Sequence, residues 1–507
     1  MNLLGFYLGF HDSNLCSVSD GRVRYRKFER RSGVKHERVG LKEIVGTCEE
    51  WGVKPDYVAY SDGDRNGLGV CGIGELFREC HLELGLPSVR KAFCIDHHFA
   101  HLLSAWPCAS NDHPSIGIAL DGRGDNNLRA RVVRFGPGVN AESVFHSTEF
   151  GVGRFFTLVG KRLGFEGQDI DFAGKIMGAQ AYGTPDLEFV TRHLEEDAET
   201  LPRKLLMVIP WRGGKPATDS AFFQIENQSF LDWLSTCHLL LCKVVERFFS
   251  SFCTSDETIV YSGGCAQNTV FNCVLSKRFP RLVIPPHAYD GGISLGCVEF
   301  LRRYLDQPTP PMPAFPFIQD DQWISPPSSA TIARVASLLA KGGIVGWMVG
   351  HGEIGPRALG HRSILYDPRS PRAKEMLNDR VKFREAWRPY AASVLAERAD
   401  EWFEANRPLP YMLEAIPVRP ARTEEIPGVT HRDGTCRIQT VSAVEALESF
   451  RELLTCFDSL TGVPALLNTS LNSAGEPIYG TEIQARRLLA SGRLDALCIG
   501  DNVLLKS

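Results

Sequence analysis

Two runs, His97-His98-Phe99-Ala100-His101 and Ser115-Ile116-Gly117-Ile118-Ala119-Leu120-Asp121-Gly122-Arg123-Gly124-Asp125, decide how this chain reads. Over residues 97–106 the His-x-x-x-His spacing, continued by Leu102, Leu103, Ala105 and Trp106, predicts a helix. Such a helix projects His97 and His101 from one face, one turn apart, where both can grip a single cation, and His98 points elsewhere. Residues 115–120 predict a buried strand that delivers Asp121 at its carboxyl end, where open α/β sheets place ligand-binding groups. Imidazoles and a carboxylate without thiolates suit iron(II), zinc or manganese better than a structural zinc. A helix whose histidines only cap or fill a core carries the same spacing.

Strand-like runs of this kind recur on both sides. Leu3–Leu8 ends in Gly9-Phe10-His11-Asp12, Ile259–Tyr261 ends in Ser262-Gly263-Gly264, and Leu282–Ile284 runs towards Asp290-Gly291-Gly292. This rhythm predicts the α/β class with an internally duplicated fold. Segment 186–256 has amphipathic periodicity and reads as packing helices. The proline-rich connector 305–328 divides a first domain, 1–304, from a second, 329–507, which opens with helix Thr331–Lys341 and strand Ile344–Met348.

A chain of 507 residues, 43% apolar, forms two or more packed domains. A net charge of -4 exerts no general pull on nucleic acid, so an anionic ligand needs a local basic pocket. The 15 cysteines include no Cys-x-x-Cys pair, which suits reduced thiols in a cytoplasm. The amino terminus reads as a first strand rather than a signal peptide, and no apolar run spans a bilayer, so a soluble cytoplasmic protein is expected.

Gly263 and Gly264 follow a strand and precede a helix over Thr269–Leu275. They allow either a ligand approaching backbone amides or simply a tight turn. Asp290 either completes the coordination begun by His97, His101 and Asp121 or caps the next helix. His11, Asp12 and the pair Lys35-His36 are candidate acid/base or substrate-contacting groups, since histidine removes a hydroxyl proton near neutral pH. Lys35 also reads as part of an exposed turn. In the second part, Arg357, Lys382, Arg384 and Arg388 converge with Arg437 and with Asn468-Thr469-Ser470. Such a collection holds a nucleoside triphosphate beside a second small phosphate, or else forms a solvated basic face. No Walker A lysine, nucleophile elbow or Rossmann fingerprint is present.

Taken in order, Gly9-Phe10-His11-Asp12-Ser13, Lys35-His36, Asp96 to His101, Asp121 to Asp125, Gly263 to Asn268, Asp290-Gly291-Gly292, Gly355 to Gly360, Arg384-x-x-x-Arg388-Pro389 and Asn468-Thr469-Ser470 resemble the O-carbamoyltransferases that tailor nodulation factors and antibiotics. The resemblance spans nearly the whole chain. It implies an actin-like, duplicated ribonuclease H-like domain with a metal site, followed by a smaller α/β domain that makes carbamoyl-adenylate. It further implies that the second domain joins carbamoyl phosphate to ATP with Mg²⁺, releasing pyrophosphate, and that the first passes the carbamoyl group to a hydroxyl or amine of a small-molecule acceptor. On this likeness His97, His101, Asp121 and Asp290 hold Fe²⁺ or another divalent metal. Arg357, Lys382, Arg388, Arg437, Asn468 and Ser470 form the adenylation pocket, Gly263, Gly264 and Asn268 hold the adenosine, and His11, Asp12 and Lys35 serve transfer. Phe28-Glu29-Arg30-Arg31 departs from the pattern, since relatives are richer in glutamate there.

Two other readings share these features. One is threonylcarbamoyl-adenosine formation on tRNA, against which the lack of a basic stripe argues. The other is a non-catalytic nucleotide-binding protein of actin-like fold, against which retention of both residue sets argues. Nucleic acid and membrane are therefore not expected partners, and a homodimer is left open.

Overall fold

The computed structural model describes residues 1–63, 67–82, 88–108, 114–212 and 221–506. The first sheet comprises β1 (Leu3–Tyr7), β2 (Asn14–Ser19), β3 (Arg22–Lys27), β4 (Tyr57–Ser61), β5 (Phe77–Cys80) and β6 (Lys91–Ile95), in the order β3-β2-β1-β4-β6-β5. The second comprises β7 (Ile116–Leu120), β8 (Ala130–Phe135), β9 (Ala141–Ser147), β10 (Ile259–Ser262) and β11 (Leu282–Val283), in the order β9-β8-β7-β10-β11. In both, a three-strand antiparallel meander is followed by parallel strands on the far side of its first strand. The strand order thus carries the duplication that the sequence repeat itself does not show, and the first part is a duplicated ribonuclease H-like, actin-like fold.

The third sheet comprises β12 (Val345–Met348), β13 (Arg362–Tyr366), β14 (Ala391–Leu395), β15 (Ala415–Pro417), β16 (Thr435–Val441), β17 (Ala465–Ser470), β18 (Ala496–Ile499) and β19 (Asn502–Leu505). It is mixed, in the order β15-β16-β14-β17-β13-β12-β18-β19, over a core that includes Trp347 and Trp402. In 186–256 the described helices are Leu187–His193, Leu201–Met207 and Gln228–Ser250, and 213–220 lie outside the described residues.

The helix after β6 is shorter than expected, ending at Leu103 rather than 106. It crosses the helix Ile293–Tyr304, which also packs on β1 and β4. Gly296 makes that crossing close, because a Cβ there would stand 1.8 Å from the Ala100 carbonyl oxygen. The two halves of the chain are tied by side chains. Arg30 donates to the Gly355 carbonyl at 2.7 Å, Asn272 to Leu413 at 2.8 Å and Trp387 to Lys175 at 3.1 Å. All 15 cysteines are free thiols, and no helix among the described residues is long and apolar enough to cross a membrane.

Candidate active site

β7 ends at Leu120 and presents Asp121, the helix His97–Leu103 presents its two histidines, and the short turn Asp290–Gly292 before Ile293–Tyr304 presents Asp290. These four buried side chains converge. The Nε2 atoms of His97 and His101 lie 3.2 Å apart. Asp121 Oδ2 is 3.5 Å from His97 Nε2 and 3.0 Å from His101 Nε2. Asp290 Oδ1 is 3.6 and 3.3 Å from the same atoms. An ion with bonds of about 2.0–2.1 Å spaces tetrahedral ligands about 3.3 Å apart, so the set fits one cation. Asp121 Oδ2 is buried without a hydrogen-bond donor, an orphaned atom of the kind a metal satisfies. Burial opposes charging His97, yet the Asp290 and Asp121 carboxylates outweigh it and raise its pKa to about 10. The pocket therefore demands positive charge. Tyr7 donates to Asp290 Oδ2 at 2.5 Å, and Asp125 accepts the His97 amide at 3.0 Å. His98 points away, under Gly124.

Beside this set lies a second polar cluster. His11 Nδ1 is 2.7 Å from Asp12 Oδ2 and 3.7 Å from Asp290 Oδ2. Asp12 and His36 both adopt left-handed backbone, φ 58° for each, a conformation that costs a non-glycine residue about 1–3 kcal/mol and concentrates at functional sites. His36 Nδ1 sits 3.1 Å from Asp12 Oδ2. Lys35 turns outward to Asp171, 2.6 Å away, with about a third of each side chain exposed. Lys27 instead is buried among Asp12, Glu29 and Tyr289. Burial of Asp12 is outweighed by the Lys27 ammonium and by hydrogen bonds from His11 and His36, which hold its pKa well below the carboxylate range.

Gly263, at φ 92°, leaves no room for a side chain, since a Cβ would meet the Leu120 carbonyl at 2.3 Å. Gly264 lies next to Asp121. Asn268 is already engaged: its Oδ1 caps the helix Thr269–Arg278, accepting from Val270 and Phe271, and its amide meets His238 Nε2 at 3.1 Å.

Arg357, Arg384, Arg388 and Arg437 line one cleft of about 670 Å³, mouth included, together with Thr269 and Gly178 from the first part. All four are half-buried. Glu385 stands 3.7 Å from Arg388, but its other oxygen is held by Lys175 at 2.9 Å. Loss of water, then the neighbouring Arg384, lowers Arg357 to about 10, and the same two causes lower Arg388 to about 10. Such crowding of like charge at a cleft favours an anion there. Lys382 points elsewhere, its ammonium enclosed by the carbonyls of Ser470 and Asn472 and the Asn472 side chain at 2.5–3.0 Å. Asn468 donates to Ser393 Oγ at 2.9 Å and Ser470 to Asn472 at 2.6 Å, and neither is among the residues lining the cleft.

Sequence reasoning missed Lys27, Glu29, Asp171, Tyr7 and Tyr289. Lys27 belongs to Arg-Val-Arg-Tyr-Arg-Lys in β3, where nothing in the pattern separates the one buried ammonium from its three arginine neighbours. Arg384 was visible as part of its motif.

Family models described as Carbamoyltransferase N-terminus and Carbamoyltransferase C-terminus match residues 81–298 and 336–506. The chain is 30% identical to nodulation protein NolNO of Sinorhizobium fredii over 444 residues, covering 81% of this chain and 64% of that one. It is 30% identical to nodulation protein NolO of Bradyrhizobium diazoefficiens over 451 residues, covering 81% and 79%. To the 3'-hydroxymethylcephem-O-carbamoyltransferase of Amycolatopsis lactamdurans it is 27% identical over 502 residues, 92% of each chain.

Proposed function

The chain belongs to the carbamoyltransferase family, and from that premise we propose that it is an ATP-dependent enzyme that carbamoylates a hydroxyl or amine of a small molecule in two steps. In the second domain carbamoyl phosphate gives carbamate and phosphate with water. A carbamate oxygen then bonds to the α-phosphorus of ATP as the bond to pyrophosphate breaks, leaving carbamoyl-adenylate. In the first domain the acceptor attacks the carbamoyl carbon, AMP departs, and the acceptor proton passes to a base.

The observation that carries this reading is the arginine cleft. Four guanidiniums, with Asp433 as the one acid in the cleft lining and Glu385 3.7 Å from Arg388 alone, can neutralise a triphosphate and a leaving pyrophosphate, where preformed charge contributes most. Thr269 and Val270 on its wall follow the loop Gly264–Gln267, which adjoins Asp121, so the two centres flank one short segment. His97, His101, Asp121 and Asp290 would hold a divalent metal, iron(II) in this assignment, which supplies Lewis-acid charge beside a bound acyl phosphate. Asp12 fixes the Nδ1 side of His11, and Nε2 takes the acceptor proton in the neutral form. Burial opposes charging the ring, but Asp290 and Asp12 outweigh it and raise its pKa to about 9, so the neutral form grows as pH rises towards 9. Lys35 and His36 stand at the rim of the same pocket. A cytoplasmic location follows from the supply of ATP and carbamoyl phosphate.

The test is mass-spectrometric detection of carbamoyl-adenylate, with pyrophosphate release, after incubation with ATP, carbamoyl phosphate, Mg²⁺ and Fe²⁺ but no acceptor. Wild type and His101→Ala should form it and Arg388→Ala should not. Folded wild-type protein that binds ATP yet yields neither product sinks the proposal.

A further inference from the structure

Asp12, Glu29 and His36 each offer a ligand atom, all within 4.8 Å of one another, as His97, His101, Asp121 and Asp290 do in their own set. The difference between the two clusters is Lys27. Its Nζ lies 2.6 Å from Asp12 Oδ1, 2.7 Å from Glu29 Oε1 and 2.9 Å from the Tyr289 hydroxyl. An ammonium has three donors and no acceptor, and here three oxygens meet them. The side chain is 3% exposed, so its solvation comes from these oxygens.

We propose that Lys27 is a built-in cation, its ammonium filling a pocket of Asp12, Glu29 and His36 that otherwise takes a divalent metal ion. Two carboxylates buried this close need a positive charge between them, and a covalently attached one is not lost to chelators or exchange. Because Asp12 also bonds His11 at 2.7 Å, Lys27 is a positioning residue that acts on His11 through Asp12. This second role rests on the transfer reading of His11; the cation role does not.

The experiment counts Mn²⁺ ions bound per chain, by equilibrium dialysis and elemental analysis, in wild type, Glu29→Gln, Lys27→Ala, Lys27→Arg and Lys27→Ala with Glu29→Gln. Lys27→Ala should gain one ion over wild type. Lys27→Arg and the double variant should gain none, and Glu29→Gln should match wild type. A folded Lys27→Ala that gains no ion overturns the proposal, as does a wild-type ion that Glu29→Gln removes. If Lys27→Ala folds only with Mn²⁺ present while the double variant folds without it, that dependence supports the pocket. If Lys27→Ala does not fold at all, equal counts in wild type and Glu29→Gln support the proposal and a lower count in Glu29→Gln overturns it. For the positioning role, Lys27→Arg should recover the kcat that Lys27→Ala loses, at unchanged KM for ATP.

Discussion

Gly296 lies directly under Ala100, with space between the two helices for a hydrogen and not for a methyl group. This contact sets the distance between the histidine pair on one helix and Asp290 at the start of the other. Gly296→Ala should push the helices apart, costing about 1–3 kcal/mol as overpacked cores do. It should also weaken metal binding, because Asp290 moves relative to His97 and His101. Thermal unfolding with and without Mn²⁺ checks both: a lower midpoint and a smaller metal-dependent rise are expected.

Tyr7 donates to Asp290 Oδ2, while Oδ1 of the same carboxylate faces His97 and His101. Partners of this kind orient a ligating carboxylate, and losing one typically weakens metal binding 10–100-fold. Tyr7→Phe removes one hydroxyl from a tightly packed ring, so binding should fall by about that factor while the fold persists. Competition with a chelator of known affinity measures it, and an unchanged affinity would remove Tyr7 from the site.

The convergence of His97, His101 and Asp121 was legible because each part rests on a local rule. Helical period aligns two residues four apart, and a parallel strand delivers its next residue to the sheet's edge. Asp290 had two local readings, and only the helix crossing at Gly296 brings it to the histidines. The duplicated fold was visible as a rhythm of strands, whereas the antiparallel meander in each half depends on long-range pairing. Asn268 is assigned to the adenosine by the family resemblance alone, and its capping of the helix Thr269–Arg278 is a local role that the sequence also carries. Lys382 reads as a free cation in a basic run, yet its partners lie 88 and 90 residues away in sequence. Partners so distant leave no mark on spacing or composition.

The arginine cleft should show a trade between stability and function. Arg437 is depressed well below the usual arginine range by loss of water and then by Arg357 and Arg384. Arg437→Met keeps apolar bulk and removes that repulsion, so the unliganded protein should become as stable as wild type or more so. It should also lose the stabilisation that ATP with Mg²⁺ gives wild type, about 2.7 kcal/mol at 100 times Kd, and with it the rise in unfolding midpoint. Thermal melts with and without nucleotide separate the two effects. A destabilised apo variant that still responds to ATP would contradict the assignment.

Lys35 is linked to His11 only through Asp171, His36 and Asp12, and the two differ in what their loss should do. The Lys35–Asp171 pair is about one-third exposed on each side, and such pairs contribute about 0.2–1 kcal/mol. Lys35→Ala should therefore melt close to wild type. His11 is held by Asp12 and faces Asp290, so His11→Ala empties the position from which a proton is taken. Both variants should form carbamoyl-adenylate at the wild-type rate, because neither side chain lines the arginine cleft. On addition of an acceptor, His11→Ala should lose transfer by about 10²–10⁴-fold, the usual contribution of a positioned general base. Lys35→Ala should lose less and mainly through acceptor KM, since its ammonium lies at the rim. Single-turnover transfer from preformed carbamoyl-adenylate measures these directly. Unaltered transfer in Lys35→Ala would leave that residue as a surface ion pair only, and unaltered transfer in His11→Ala would require another base.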